Sequence, residues 1–387
     1  MLFIGIFSAV IGAVHYYLWA RLVRSPELSP TWQRVGTWGL IAAALLIPVG
    51  MLVSSSLPRW AETTVSVLVF GWFGTAVLLF FLLLTSEVIR GVIHAVSAVT
   101  SGPLDPERRT LLSRGIAAVV GVLAVGLAGA GAASALGEVA VRSVRVQLSR
   151  LPKTMSGFRV VQLTDLHIGS ILGRGWLAAI VERVNALDAD IVVITGDLVD
   201  GSVAALREHV APLADLRAKR GVYFVTGNHE YYSGADEWIA ELGRLGVRVL
   251  RNERVVIGEG DETFDLAGVD DWSAKRFGAG HGADLARALE GRDPARELVL
   301  LAHQPKQIVE AAALGVGLQL SGHTHGGQIF PWGYLVRLDQ PYVQGLSLHG
   351  ATQIYVSRGT GYWGPPMRVG APPEITLIEL ASGAAAA

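Results

Sequence analysis

Four stretches of this chain are apolar for long enough to cross a bilayer as helices, and no other feature restricts its folding as much. They run over Leu2–Ala20, Thr37–Leu57, Val65–Glu87 and Gly115–Leu136. Hydrophobic residues make up 51% of the 387, high for a soluble protein, and the excess lies in the first 140. Basic residues are unevenly shared between the connections. The first holds Arg21, Arg24 and Arg34, the second only Arg59, and the third Arg90, Arg108, Arg109 and Arg114. Positive loops stay on the cytoplasmic side, so the first and third connections are expected there. A multi-pass protein of the cell membrane follows, with everything after the fourth segment outside the cytoplasm. Arg142, Arg145, Arg150 and Lys153 oppose this weakly, because long domains translocate largely regardless of charge.

The fourth segment carries a second cue. Glu107-Arg-Arg109 precedes an apolar run that ends in Ala133-Ser134-Ala135, the pattern of a twin-arginine export signal with a cleavage site. An ordinary fourth helix with cytoplasmic arginines is the alternative. Gly129-Ala-Gly131 in that segment is read as small residues that let helices pack closely, not as a dinucleotide fingerprint. His15, Glu87 and His94 lie towards helix ends and are read as interfacial.

From about Val141 the texture changes to short β-rich runs alternating with helical stretches, which predicts an α/β domain. Strands are expected over Phe158–Leu163, Ile191–Thr195, Val222–Thr226, Phe264–Val269, Leu298–Ala302 and Gly317–Ser321. Helices are expected over Trp176–Leu187, Val203–Arg217, Ala235–Leu245 and Gln307–Ala313. Each polar cluster follows an expected strand. Thr164-Asp-Leu-His167 comes first, then Gly196-Asp-Leu-Val-Asp200, Gly227-Asn-His-Glu230, His303 and Gly322-His-Thr-His325. Loops at one edge of a sheet are where open α/β folds build their sites. The chain has no cysteine, which excludes thiolate ligands. Carboxylate, imidazole and amide donors suit divalent Mn, Fe or Zn. A net charge of −1 gives no reason to expect a nucleic-acid partner.

The order Asp-x-His, Gly-Asp-x-x-Asp, Gly-Asn-His-Glu, His, Gly-His-x-His resembles the calcineurin-like metallophosphoesterase superfamily over about residues 155–380. Its bacterial membrane-linked and exported members share the form "GHTHGGQ" and the C-terminal stretch "VSRGTGYWGPPMRVGAPPEITLIEL". The resemblance implies a four-layer αββα sandwich behind a bundle of about four transmembrane helices. The expected division is residues 1–140 for the membrane part, 141–382 for the catalytic domain and a disordered tail at 383–387. It also implies two metal ions, one held by Asp165, His167, Asp197 and His325, the other by Asp197, Asn228, His303 and His323. His229 is then the candidate proton donor to the leaving group. Asp200 is expected to fix an imidazole tautomer, or else to cap the helix that follows. Arg358 and Asp270 are weaker candidates for substrate contact.

A phosphoesterase with a pair of divalent ions is the expected activity, since such a pair supplies hydroxide at neutral pH and neutralises phosphoryl oxygens. The expected substrate contains phosphate, as a monoester, a diester or a lipid-linked pyrophosphate. The lipid option rests on the tether and on the aromatic stretch "YWGPPM", for which core packing is the alternative. Two other readings stay open: a membrane sensor or accessory protein whose metal domain only binds a ligand, and a cyclic-nucleotide phosphodiesterase facing the cytoplasm.

Overall fold

A computed structural model of the chain describes residues 2–100 and 105–383 and divides into two compact units. One comprises Met1–Leu136 with Gly364–Val369, the other Gly137–Trp363 with Gly370–Ala387. Of the expected tail, residues 384–387 lie outside the described residues.

The first unit is helical: α1 (Leu2–Trp19), α2 (Pro30–Val53), α3 (Arg59–Thr100) and α4 (Pro106–Leu136). All four, α1 with the π-turn that continues it to Arg24, are long and apolar enough to span a membrane. Two of them, α3 and α4, outrun the apolar segments furthest. The 42 residues of α3 extend about 63 Å, roughly twice the hydrocarbon thickness of a bilayer. The other, α4, starts at Pro106 rather than Gly115, because Asp105 accepts a hydrogen bond from the Arg108 N–H (2.8 Å) and proline follows the cap. Caps set helix ends; hydropathy sets only which part faces lipid.

Ile11, Ile47 and Val69 form a buried cluster joining α1, α2 and α3. His15 is buried, and both ring nitrogens are used: Nδ1 lies 2.8 Å from the Ile11 carbonyl, while Trp72 Nε1 donates to Nε2 at 2.9 Å. Glu87 pairs with Arg21 at 2.7 Å. The segment Gly364–Val369 belongs to this unit. The Arg368 N–H donates to the Gly131 carbonyl (2.9 Å), and Met367 is buried against Gly74. Met367 of the "YWGPPM" stretch is therefore packing.

Among the described residues the second unit holds twelve strands in two sheets. The first contains β1 (Ala140–Leu148), β2 (Phe158–Leu163), β3 (Ile191–Thr195), β4 (Val222–Val225), β5 (Arg248–Val249) and β12 (Glu374–Ser382), in the order β1-β12-β2-β3-β4-β5. The second contains β6 (Glu253–Glu259), β7 (Glu262–Gly268), β8 (Glu297–Leu301), β9 (Leu318–Ser321), β10 (Gly345–His349) and β11 (Thr352–Val356), in the order β10-β11-β9-β8-β7-β6. Val160, Ile191, Val193 and Tyr223 of one sheet meet Phe264, Leu266, Val299 and Leu320 of the other in a shared core. Flanking helices are α5 (Arg174–Asn185), α6 (Val203–Val210), α8 (Ala235–Arg244) and α10 (Ile308–Ala313), with short α7 (Asn228–Ser233), α9 (Leu285–Ala288) and α11 (Gly333–Val336) between them. Helices flanking two packed mixed sheets make the expected αββα sandwich. The continuous apolar run of β3 is buried on both faces for that reason.

Direction matters more than layering for the site. Within the first sheet β2, β3 and β4 run parallel, and within the second β8 and β9 do. Parallel strands end on the same edge, so every polar cluster named above leaves a strand's carboxyl end.

Candidate metal centre

Asp165 and His167 follow β2, Asp197 and Asp200 follow β3, Asn228 and His229 open α7 after β4, His303 follows β8, and His323 and His325 follow β9. Five of the seven expected ligands, Asp165, His167, Asp197, His323 and His325, have φ between 48° and 71°. Only nine non-glycine residues among those described have positive φ, so backbone strain is concentrated here. Two glycines allow the turns to close: a Cβ on Gly227 would collide with Asp197, and one on Gly322 with Thr164 and Asp165.

The donors form three overlapping groups. Asp165, His167 and His325 converge in the first and Asp197, His303 and His323 in the second, while a third, His167, Asp197 and His229, links them. Within the first, the Nε2 atoms of His167 and His325 stand 3.1 Å apart, and Asp165 Oδ1 is 3.4 Å from His325 Nε2. In the second, Asp197 Oδ2 is 3.1 Å from His303 Nε2, and His323 Nδ1 is 3.2 Å from the same nitrogen. Asp197 Oδ2 also lies 3.8 Å from His167 Nε2, which places it between the groups. The His323 N–H donates to both oxygens of Asp165 at 3.0 Å and ties the groups together.

These residues suit a pair of cations. Imidazole nitrogens face one another without an acceptor between them, and two buried carboxylates need positive charge nearby. Asn228 Oδ1 is buried and has no hydrogen-bond partner among the described residues, the state of an oxygen waiting for a cation. Hydrogen bonds behind the donors fix which nitrogen is free. His303 Nδ1 is 2.7 Å from the Thr195 carbonyl, so that nitrogen donates and Nε2 faces the site. Burial, with His303 beside it, drives His323 down to about 3, keeping it neutral.

His229 differs from the ligands. Its Nδ1 is 2.6 Å from Asp200 Oδ1, which also lies 3.1 Å from His167 Nδ1. Burial pushes the His229 imidazole down, but Asp197 and Asp200 outweigh it and hold it up at about 9. The Asp200 carboxyl is held below its ordinary range: burial raises it, and the two imidazoles outweigh burial. Ser202 occupies the N-cap of α6, so Asp200 is not the cap. Two exposed aromatics edge the His229 ring, Tyr232 at 5.3 Å and Trp363 at 5.5 Å between centroids.

Arg358 and Asp270 have other partners. Arg358 lies beside Gly326, but its Nε donates to the buried Glu374 carboxylate at 2.7 Å. Asp270 accepts from Arg251 at 3.0 and 2.8 Å.

Glu230 had no role assigned from sequence. Its buried carboxylate accepts from the N–H groups of Gly227 (2.6 Å), Asp197 (3.0 Å) and Leu198 (2.8 Å), binding the turn after β3 to the turn after β4. The available signal was the spacing Gly227-x-x-Glu230, in which the N3 glutamate reaches back to the N-cap backbone N–H as in half of a capping box. Gln328 was also missed. It accepts from the Trp363 N–H (3.1 Å) and donates to the Trp363 carbonyl (2.8 Å), fastening that ring beside His229. No local pattern relates positions 35 residues apart.

The family model for calcineurin-like phosphoesterases matches residues 158–327. A transmembrane protein with a metallophosphoesterase domain from Danio rerio is 35% identical over 389 positions, covering 94% of this chain and 85% of that protein. An uncharacterized metallophosphoesterase of Campylobacter jejuni is 30% identical over 382 positions, 98% of each chain. The Bos taurus transmembrane protein with a metallophosphoesterase domain is 43% identical over 290 positions; the match spans 72% of this chain and 65% of that protein.

Proposed function

This chain belongs to the calcineurin-like phosphoesterase family, a family of metal-dependent phosphoester hydrolases, and on that premise we propose how it acts and on what. It hydrolyses phosphate esters at the centre built from Asp165, His167, Asp197, Asn228, His303, His323 and His325. The observation that carries this reading is that Asp197 shares one donor group with His303 and His323 and another with His167, which itself belongs to the group of Asp165 and His325. A divalent pair, when bound there, supplies hydroxide at neutral pH and neutralises the phosphoryl oxygens.

The chain's own residues do the rest. Asp200 accepts from Nδ1–H of His229, which leaves the Nε2 proton facing the site. From there it passes to the leaving oxygen, so that an alcohol departs instead of an alkoxide. Asp165 and Asp197 bring two negative charges, and neutral Asn228 adds none, so a site holding two divalent ions stays net positive towards an anionic ester. Tyr232 and Trp363 flank the leaving-group side of His229 and favour a leaving group with an apolar face. A lipid-linked phosphate or pyrophosphate has that character, and the four candidate spans favour a substrate at a membrane.

The catalytic unit works outside the cytoplasm in this reading, which rests on the arginine-rich first and third connections. A reporter fused after Ala387 tests it; fluorescence from a reporter that matures only in the cytoplasm refutes it and favours the cyclic-nucleotide reading. Activity is tested on purified protein loaded separately with Mn, Fe and Zn, against monoester, diester and lipid-pyrophosphate panels. Stoichiometric metal without turnover on any panel would leave a binding domain, the sensor alternative.

A further inference from the structure

One surface segment is explained neither by the fold nor by the metal centre. Between the turn that carries His323 and His325 and strand β10, five large apolar residues are exposed within nine positions. Their exposures are 62% for Phe330, 46% for Trp332, 67% for Tyr334, 45% for Leu335 and 85% for Leu338. None of the four residues of α11, at the middle of this segment, is buried. Single exposed apolar residues are ordinary, but a contiguous cluster of this kind marks a surface that something covers.

The segment is nonetheless firmly rooted. The Trp332 N–H donates to the Ile329 carbonyl, and those of Leu335 and Leu338 donate to the carbonyls of Trp332 and Leu335, at 2.8, 2.8 and 3.0 Å. At one end Gly327 lies flush against Gly333, two residues past His325. At the other, the Gln340 side chain donates to Gln304, next to His303, and accepts from the Lys306 N–H. Both histidine-bearing turns thus brace the base of an apolar finger whose tip is left outside.

We propose that Phe330–Leu338 is an interfacial anchor that seats in the boundary between lipid headgroups and acyl chains. Three arguments select lipid as the occupant. Tryptophan and tyrosine beside aliphatic residues, with the exposed Arg337 among them, is the composition that favours the interface. The same chain carries four helices able to span a bilayer. Only Gly137–Val139 separate the last of these from β1, so the catalytic unit begins at a candidate membrane surface. An anchor there would present headgroup phosphates to the turns that carry His303, His323 and His325.

The chain has no cysteine, so one introduced cysteine takes one spin label. Full-length Leu338→Cys and Tyr334→Cys are reconstituted in vesicles of phosphatidylcholine and phosphatidylglycerol, with Asp261→Cys, on the exposed β6–β7 turn, as the aqueous reference. Variants are used that keep the parent's metal content and melting temperature. Collisions with oxygen, which concentrates in lipid, are compared with collisions with a water-soluble nickel chelate. At 338 and 334 oxygen is expected to dominate, and at 261 nickel. Nickel-dominated labels at 338 and 334 would overturn the proposal, because the finger would then face water. Labels shielded from both reagents would overturn it as well, because protein would then cover the finger. Neither readout requires turnover, so the anchor can fail while the proposed hydrolysis stands.

Discussion

Oδ1 of Asp200 lies 2.6 Å from Nδ1 of His229, and the same oxygen lies 3.1 Å from Nδ1 of His167. One carboxylate oxygen thereby orients a candidate metal ligand and the candidate proton donor together. The two roles separate on mutation. His229→Ala should lower kcat by about 10²–10⁴-fold while metal content stays at the parent level. Asp200→Asn weakens the hold on both imidazoles and should cost about 10–100-fold in rate, with weaker metal retention under chelator. Metal analysis alongside single-turnover rates checks both; a His229→Ala protein with parental turnover would remove that residue from the mechanism.

Removing ligands should reveal the sharing at Asp197. His325→Ala deletes a donor from one group only, and His303→Ala one from the other, so each should leave about one ion per chain after dialysis. Asp197→Ala opens both groups and should leave neither ion tightly held. Elemental analysis of the three proteins under identical dialysis decides it. Equal loss in all three would mean that the two groups do not act as separate sites joined by one aspartate.

Much of this site could be read before the fold was known, for a definite physical reason. In a parallel sheet the chain turns where a strand ends, and the candidate ligands Asp165, Asp197, Asn228 and His303 each sit just after an apolar run that declares itself. Strands β2, β3 and β9 were legible in the same way, as short apolar stretches buried on both faces. Strands β1, β5, β6, β10, β11 and β12 were not: β6 and β10 are half exposed at sheet edges, β1 and β12 carry charge, as Arg142, Arg145 and Glu379 do, β5 has two residues, and β11, though buried throughout, opens on polar Thr352 and Gln353. The pairing of Arg358 was not legible, because its partner Glu374 follows 16 residues later, at the start of β12. Gln328 and Trp363 were invisible for the same reason: their bond exists only in three dimensions.

Glu230 should behave as a structural acceptor whose loss is felt at the metals. Its two oxygens serve three backbone donors. An amide offers one acceptor oxygen, so either orientation of the side chain in Glu230→Gln aims an NH₂ group at an N–H. The expected cost is about 1–3 kcal/mol. At about 2–4 °C per kcal/mol for a unit of this size, the drop in melting temperature is measurable by calorimetry. The turns of Asp197 and Asn228 are the ones released, so metal affinity should fall with stability. A variant that melts lower yet binds both ions as tightly as the parent would confine Glu230 to the fold.

Trp363 should act on the leaving group and Gln328 through Trp363. The indole is 54% exposed and 5.5 Å from the His229 ring, and the two hydrogen bonds from Gln328 hold its backbone in place. Aromatic contact contributes about 0.5–1.5 kcal/mol beyond area burial, or roughly 2–10-fold in kcat/KM. Trp363→Ala should therefore lower kcat/KM by that factor for an aryl phosphoester and leave a methyl ester of the same phosphate nearly unchanged. Gln328→Ala should shift the same ratio in the same direction by less, because the ring remains but is free to move. Gln328→Glu keeps the acceptor for the Trp363 N–H but sets a carboxylate oxygen against the Trp363 carbonyl, and should shift the ratio at least as far as Gln328→Ala. The aryl-to-methyl ratio separates this role from a merely structural one: an equal fall on both substrates would mean that Trp363 supports the fold around His229 and does not meet the leaving group.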